Sequence, residues 1–398
     1  MTRLFALTLC LVPTLGTTAE IAGYVEFGAS AADAEPAWTD GGVSTTGRGD
    51  GLFTEARLSI QQRVFDDRVM AFASMLARSD EGRNAGLIEA FVDVGRLSHE
   101  GYRLRLGQAF AGTSRENIEA FWQTPYTLSL SALNAWIGEE FRPIGAELTR
   151  RFQSGERTLD LGLTGYVGND TGPAALAWRG FAVHNRLSVY GESLPLLPLP
   201  SLSDPERFGA QRPDGTQPFG PDLDGRIGYA LRGRFDTGRG LRLSAYYTDN
   251  RGDQDLHDGD EYAWNSQFAV LGFDWQLSDR WTLLGEVLHG DTLMGFAPGP
   301  KVDIDFDAAY LLLSYQDGPW TWSGRIEAFH VGEKDRSIGE LNTQDGDAVT
   351  LALLRDWSGW RIGAELLVSD ITRPGNVEFA GNTDQGGVQA MLLARRYF

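Results

Sequence analysis

Five histidines (His99, His184, His257, His289, His330) and one cysteine, Cys10, bound the chemistry open to this 398-residue chain. The histidines have no mutual metal-ligand spacing, and the chain contains neither a Gly-x-Ser-x-Gly elbow nor a His-Glu-x-x-His pair. No catalytic residue, cofactor or metal is expected, although His289 or His330 beside a serine from another strand keeps a hydrolase open as a minor alternative. Paired charge is abundant instead. Arg57, Arg63, Arg103, Arg105, Arg226, Arg232, Arg234, Arg242, Arg325 and Arg361 alternate with apolar neighbours, as do Glu55, Glu89, Asp93, Glu147, Glu286, Glu327 and Glu365. Residues two apart share one face of a strand. These side chains are therefore expected in facing rows of guanidinium and carboxylate, which order water and sort polar solutes in pores. Bracing a wall is their plainer use. Asp303, Asp305 and Asp307 likewise form an acidic strip on one face.

Elements with two unlike faces must carry these rows. Leu159, Leu161 and Leu163 interleave with Asp160, Gly162 and Thr164, and Ile227, Tyr229 and Leu231 with Arg226, Gly228 and Arg232. The pattern predicts strands near 21–29, 51–63, 67–78, 85–96, 101–110, 141–152, 157–168, 223–236, 239–249, 262–277, 280–291, 302–316, 319–332, 346–357, 359–371 and 385–398. Short Asp-, Gly- or Ser-bearing turns such as Gln316-Asp317-Gly318 and Ser358-Gly359 alternate with long loops such as 111–140 and 249–261. Short turns at one end and long loops at the other describe an all-β, transmembrane antiparallel β-barrel of about 16 strands, with lipid outside and water within. The Pro-rich stretch 169–222 is then one long excursion, unless Phe181 to Tyr190 hides a hairpin and raises the count to 18. Trp275 with Trp281, Trp320 with Trp322 and Trp357 with Trp360 flank short turns, as an interfacial aromatic girdle would.

The first residues suit a bacterial outer-membrane address. Arg3, the apolar run Leu4 to Val12, Pro13 and the small residues Thr17 and Ala19 read as a secretory signal over 1–19, with the barrel over 20–398. Cys10 lies in that leader, so disulfides and thiolate chemistry are not expected of the mature chain. A net charge of −19 argues against nucleic acid as a partner. Membrane lipid and small hydrophilic solutes are the expected partners. A mean hydropathy of −0.25 agrees with strands that turn every second residue to water.

Loop 111–140 is long and apolar for a loop, with Phe121, Trp122, Tyr126, Leu128, Leu130, Leu133 and Trp136 needing burial. The inner wall is the available surface, so the loop is expected to fold inward and narrow the lumen; a lid over the rim or a subunit interface is the alternative. Arg105 and Arg115 are then expected near Glu116 and Glu119, with Trp122 at the narrowest point and a weak cation preference. The pore-lining set is Arg57, Arg103, Arg105, Arg115, Glu116, Glu119, Trp122, Glu147, Arg226, Arg232, Arg325 and Glu327. The outcome is a pore for passive diffusion of small hydrophilic solutes or ions. A non-conducting structural or adhesive barrel is favoured instead if 169–222 plugs the lumen.

Phe53 to Phe152 resembles the phosphate-selective porin family. Ile88-Glu89-Ala90-Phe91-Val92-Asp93 is similar to its strand ahead of a tight turn, and Leu104-Arg105-Leu106-Gly107-Gln108 to the strand launching its constricting third loop. Phe141-Arg142-Pro143-Ile144-Gly145 is similar to its return into the wall. The resemblance implies a sixteen-stranded, usually trimeric diffusion channel. The chain departs from it in lacking a basic cluster in 111–140 and in placing Arg396 two residues before the terminal Phe398, so phosphate selectivity is not implied.

Overall fold

Strands with one apolar and one polar face close on themselves in the computed structural model, which describes residues 19–33, 46, 49–79, 84–97, 101–197, 199–204, 206–208, 215–219, 222–258, 261–295, 299–335, 341–377, 381 and 383–398. In chain order come β1 (Glu20–Asp33), β2 (Gly51–Val64), β3 (Val69–Arg78), β4 (Ala85–Gly95), β5 (Gly101–Gln108), α1 (Ala132–Glu140), β6 (Ile144–Ser154), β7 (Arg157–Val167), α2 (Ala174–Arg179) and α3 (Pro200–Ser203). Then follow β8 (Gly228–Asp236), β9 (Leu241–Asp249), β10 (His257–Asp258), β11 (Glu261–Tyr262), β12 (Asn265–Gln276), β13 (Trp281–Gly295), β14 (Lys301–Asp317), β15 (Trp320–Glu333), β16 (Gln344–Trp357), β17 (Trp360–Thr372) and β18 (Gly387–Tyr397). Among the described residues sixteen strands form a closed antiparallel barrel in sequence order, sealed by β1 against β18, while β10 and β11 form a separate small ladder. Phe181 to Tyr190 adds no wall strand; it is irregular chain buried inside the barrel, so the expected alternative of eighteen does not arise.

Both chain ends and the short turns lie at one end. The register pairs Asp317 with Trp320 and Trp357 with Trp360 across two-residue turns. Ser358 (φ 49°) and Gly359 (φ 78°) both take positive φ, the requirement of the tight hairpin turn that matches strand twist. The six tryptophans beside these turns are 36–62% exposed on the outer rim, as expected of a girdle. Above them the outward residues are apolar, for example Leu271, Ile326, Leu351 and Leu392.

The inside is packed with chain. Loop 109–143 between β5 and β6, and much of the described chain 169–197 between β7 and β8, turn inward and join wall residues in one apolar cluster that includes Trp136, Trp178, Phe181, Phe268, Phe306 and Phe329. Phe306 and Phe329 lie flat over Gly290 and Gly346, where an added Cβ would fall 2.5 and 2.1 Å from their rings. The flattened rings leave room for Trp136, 5.2 Å from Phe306, and for Phe181, 5.8 Å from Phe329.

Candidate functional site

Alternation places the wall charges as expected with one exception. Arg57, Glu55, Glu89, Asp93, Glu147, Glu286, Arg325, Glu327 and Glu365 occupy the inward parity of their strands and are buried or half-buried. Arg226 does not line the lumen. It precedes β8, at the long-loop end, and its exposed guanidinium bonds Asp253 at 2.6 Å. Asp303, Asp305 and Asp307 also stay out of the lumen, because the apolar Val302, Ile304 and Phe306 take the inner face against the loops. His289 and His330 share that outer face, each bonded to a cross-strand aspartate (Asp307 at 2.7 Å, Asp345 at 2.8 Å). Facing outward, neither is placed to build a lumenal hydrolase site.

The inward charges divide into a buried lock and an open strip. The lock fastens the first inward loop. Arg325 is fully buried, pairs with Glu327 (3.0 Å) and Glu116 (3.3 Å), and donates to the Ser129 and Leu130 carbonyls at 3.0 and 3.1 Å. The carboxylates in turn accept loop amides: Glu116 that of Ser131 (2.8 Å), Glu327 that of Ala132 (2.7 Å), and Glu365 those of Leu128 and Ser129 (2.5 and 3.1 Å). Ser131 caps α1, so Glu116 and Glu327 also meet the positive end of that helix. Farther round the barrel, Arg361 grips Glu119 in bidentate fashion (2.8 and 3.0 Å), and Arg57 donates to the Phe121 carbonyl at 2.6 Å. Glu116 and Glu119 are thus consumed by Arg325 and Arg361. The expected throat, in which they face Arg105 and Arg115, does not form: Arg105 pairs with Asp93 and Arg115 with Asp274. Trp122 is not at a free edge either. It stacks on Phe110 with centroids 4.5 Å apart and is 7% exposed, because a large indole is stabler in the loop's own core than in water.

A second set of contacts binds the two inward loops together. Glu139 accepts from Arg179 (2.9 Å) and His184 (3.1 Å), with Arg186 at 3.8 Å. Burial pushes the Glu139 carboxyl up, but Arg179, the His184 hydrogen bond and Arg186 outweigh it and hold it below the ordinary carboxylate range. Burial lowers His184, favouring a neutral ring. Adjacent Glu140 is pushed up to about 8, first by burial and then by Glu139, against the pull of Arg179. Its oxygens accept the Trp136 Nε1–H (2.5 Å) and the Ala175 amide (2.8 Å) at the start of α2. Arg142 ties both loops to the wall through the Gly138, Ser188 and Ile88 carbonyls at 2.8, 2.6 and 2.7 Å. Every residue of 128–143 and of 174–184 is buried.

Beneath this plug, on β4–β9 and β12, lies the strip of inward charges the loops leave partly uncovered. Arg105 forks onto Asp93 (2.7 and 2.8 Å), Arg103 and Arg232 share Glu147 (2.9 and 2.8 Å), Arg151 forks onto Asp160 (2.7 Å each), and Arg242 meets Asp274 at 2.5 Å. Arg234 has no carboxylate at contact distance among the described residues and donates to the Gly112 carbonyl of the loop at 2.5 Å. Guanidinium groups therefore outnumber carboxylates. Sequence reasoning found most of this strip by parity but missed Arg151, Asp160 and Asp274, although the same alternation marks them. It also missed the loop-to-loop residues Arg179, His184 and Arg186, whose segment has no period to read.

Neither a family model nor a curated relative matches the chain. Solved structures do. The outer membrane channel DcaP of Acinetobacter baumannii matches with TM-score 0.59 and 11% identity, over 96% of this chain and 98% of that one. The anion-selective porin from Comamonas acidovorans matches with TM-score 0.53 and 12% identity, over 96% and 100%. OmpT in its trimer form, an outer membrane protein of Vibrio cholerae, matches with TM-score 0.51 and 9% identity, over 96% and 99%. The shared feature is the fold: this chain is a sixteen-stranded porin-like barrel of the bacterial outer-membrane type.

Proposed function

We propose that the barrel is a porin for passive diffusion of small hydrophilic solutes, narrowed by two inward loops and favouring anions. The arginine surplus along β5, β8 and β9 carries this reading, since fixed charge on a wetted lumenal surface sets which counter-ions accumulate there. The carboxylates behind the sequence-based expectation of cation preference are neutralised in the lock. Likeness to an anion-selective porin supports the same sign. The lysine-free strip gives no ground for phosphate in particular. A second reading, a non-conducting barrel, is favoured by the complete burial of 128–143 and 174–184. Single-channel recording in planar bilayers under a salt gradient separates the two. Conductance with an anion-directed reversal potential supports the porin, whereas silence from protein shown to be folded by its heat-modifiable gel mobility supports the plug.

A further inference from the structure

Arg150 is out of place in a lipid-facing wall. It lies on the outward parity of β6, between Leu148 and Phe152, in a row with Leu161, Gly233, Ala245 and Leu271 of neighbouring strands. Its guanidinium sits 4.4 Å from the Tyr102 ring and 4.9 Å from Phe152, and it donates to the Tyr102 hydroxyl. Its Nε finds no partner, and among the described residues no carboxylate pairs with it. A cation held against hydrocarbon without a counter-ion is costly, so it calls for an anion from outside the chain. Arg150 also borders a groove of about 680 Å³ in the outer surface. Gly233, Ala245 and Ala269 make its floor, and Leu161, Leu231 and Leu271 are among its sides. Gly233 keeps the floor low: a Cβ there would meet only Leu161, at 3.9 Å.

Depth selects the occupant. Arg150 is four residues from the end of β6 at the short-turn end, roughly 13 Å along the strand, and its register partner Tyr102 is the second residue of β5 at that same end. Other outward arginines at this rim also lie over girdle rings, Arg355 at 4.9 Å from Trp320 and Arg396 at 5.7 Å from Trp360. The opposite rim is acidic on its outer face, with Asp291, Asp303, Asp305 and Asp307. Arginines seated over aromatic rings at the short-turn rim, where the outward Asp317 is already paired with Arg280, suit anionic headgroups on that side.

We propose that this groove holds one anionic phospholipid of the periplasmic leaflet, its phosphate forked on Arg150 and an acyl chain lying over Gly233 and Ala245. The polar contact is charge-assisted and the apolar one is shape-dependent, so the two halves can be perturbed separately. The test is native mass spectrometry of the intact barrel in mild detergent, titrated with phosphatidylglycerol. The parent should retain a tight lipid adduct, and Arg150→Gln should weaken it about tenfold, the loss expected for one charge-assisted contact. Gly233→Leu, which fills the groove and spares the cation, should weaken it similarly, with Ala245→Ile used if that variant does not fold; Arg355→Gln should leave it intact. Parent-like affinity in Arg150→Gln overturns the proposal. So does a groove-filling variant that dissociates an oligomer while keeping its adduct, because the groove would then be a subunit contact.

Discussion

Replacing Arg325 with methionine tests whether the buried lock holds the first inward loop. The guanidinium is fully buried between Glu116 and Glu327 and supports the carbonyls of Ser129 and Leu130. Removing one partner of a buried ion pair strands the other charges without solvent and costs about 3–5 kcal/mol. The barrel wall does not depend on this group for its ladder hydrogen bonds, so the cost should fall on loop attachment. At about 1.36 kcal/mol per decade, local opening becomes roughly a hundred- to several-thousandfold more frequent. The direct reporters are the amides of Leu128, Ser129, Ser131 and Ala132, which donate to Glu365, Glu116 and Glu327. Hydrogen exchange in detergent should show these four accelerated by that factor, while wall amides of β13 and β14 keep parent rates. Exchange within about threefold of the parent would mean apolar packing, not the ion cluster, retains the loop, and the reasoning from buried charge would fail.

Arg105→Gln combined with Arg232→Gln should move the reversal potential toward cations, while Glu116→Gln with Glu119→Gln should leave the open-channel selectivity nearly unchanged; the reverse pattern would return the throat to loop 111–140. Glu140, raised to about 8 by burial, contributes loop-junction stability that is fully present below the unfolded carboxylate range and lost as pH rises through about 8. Protection of the Ala175 and Leu176 amides should accordingly fall as pH rises from the ordinary carboxylate value of 4.5 to about 8 in the parent, level off above that, and stay flat in Glu140→Gln. N-terminal sequencing of protein from outer membranes should begin at Glu20 if the leader ends at Ala19. A homotrimer is expected from the resemblance of Phe53 to Phe152 to trimeric porins, and native mass spectrometry showing only monomer would remove it.

Sequence alone determined the wall. Period-two alternation and turn chemistry are local, so strand number, which charged side chains share a strand face and the girdle were all legible before any tertiary contact was known. Residues at the correct parity, such as Arg325, Glu327 and Arg105, were identified as inward for that reason. Only the tertiary structure decided how the interior is used. Glu116 and Glu119 come from irregular chain, where no period says which wall residue they meet, and the outcome depends on a loop closing across the barrel onto Arg325 and Arg361. The inward placement of much of 169–197 was legible only as an alternative, because that segment has no period to say which wall or loop residues it meets. For Asp303, Asp305 and Asp307, parity grouped the three correctly but could not say which side was inside. That side was settled by Val302, Ile304 and Phe306, which gain more from packing on Trp136 and its neighbours than from lipid contact above the apolar band.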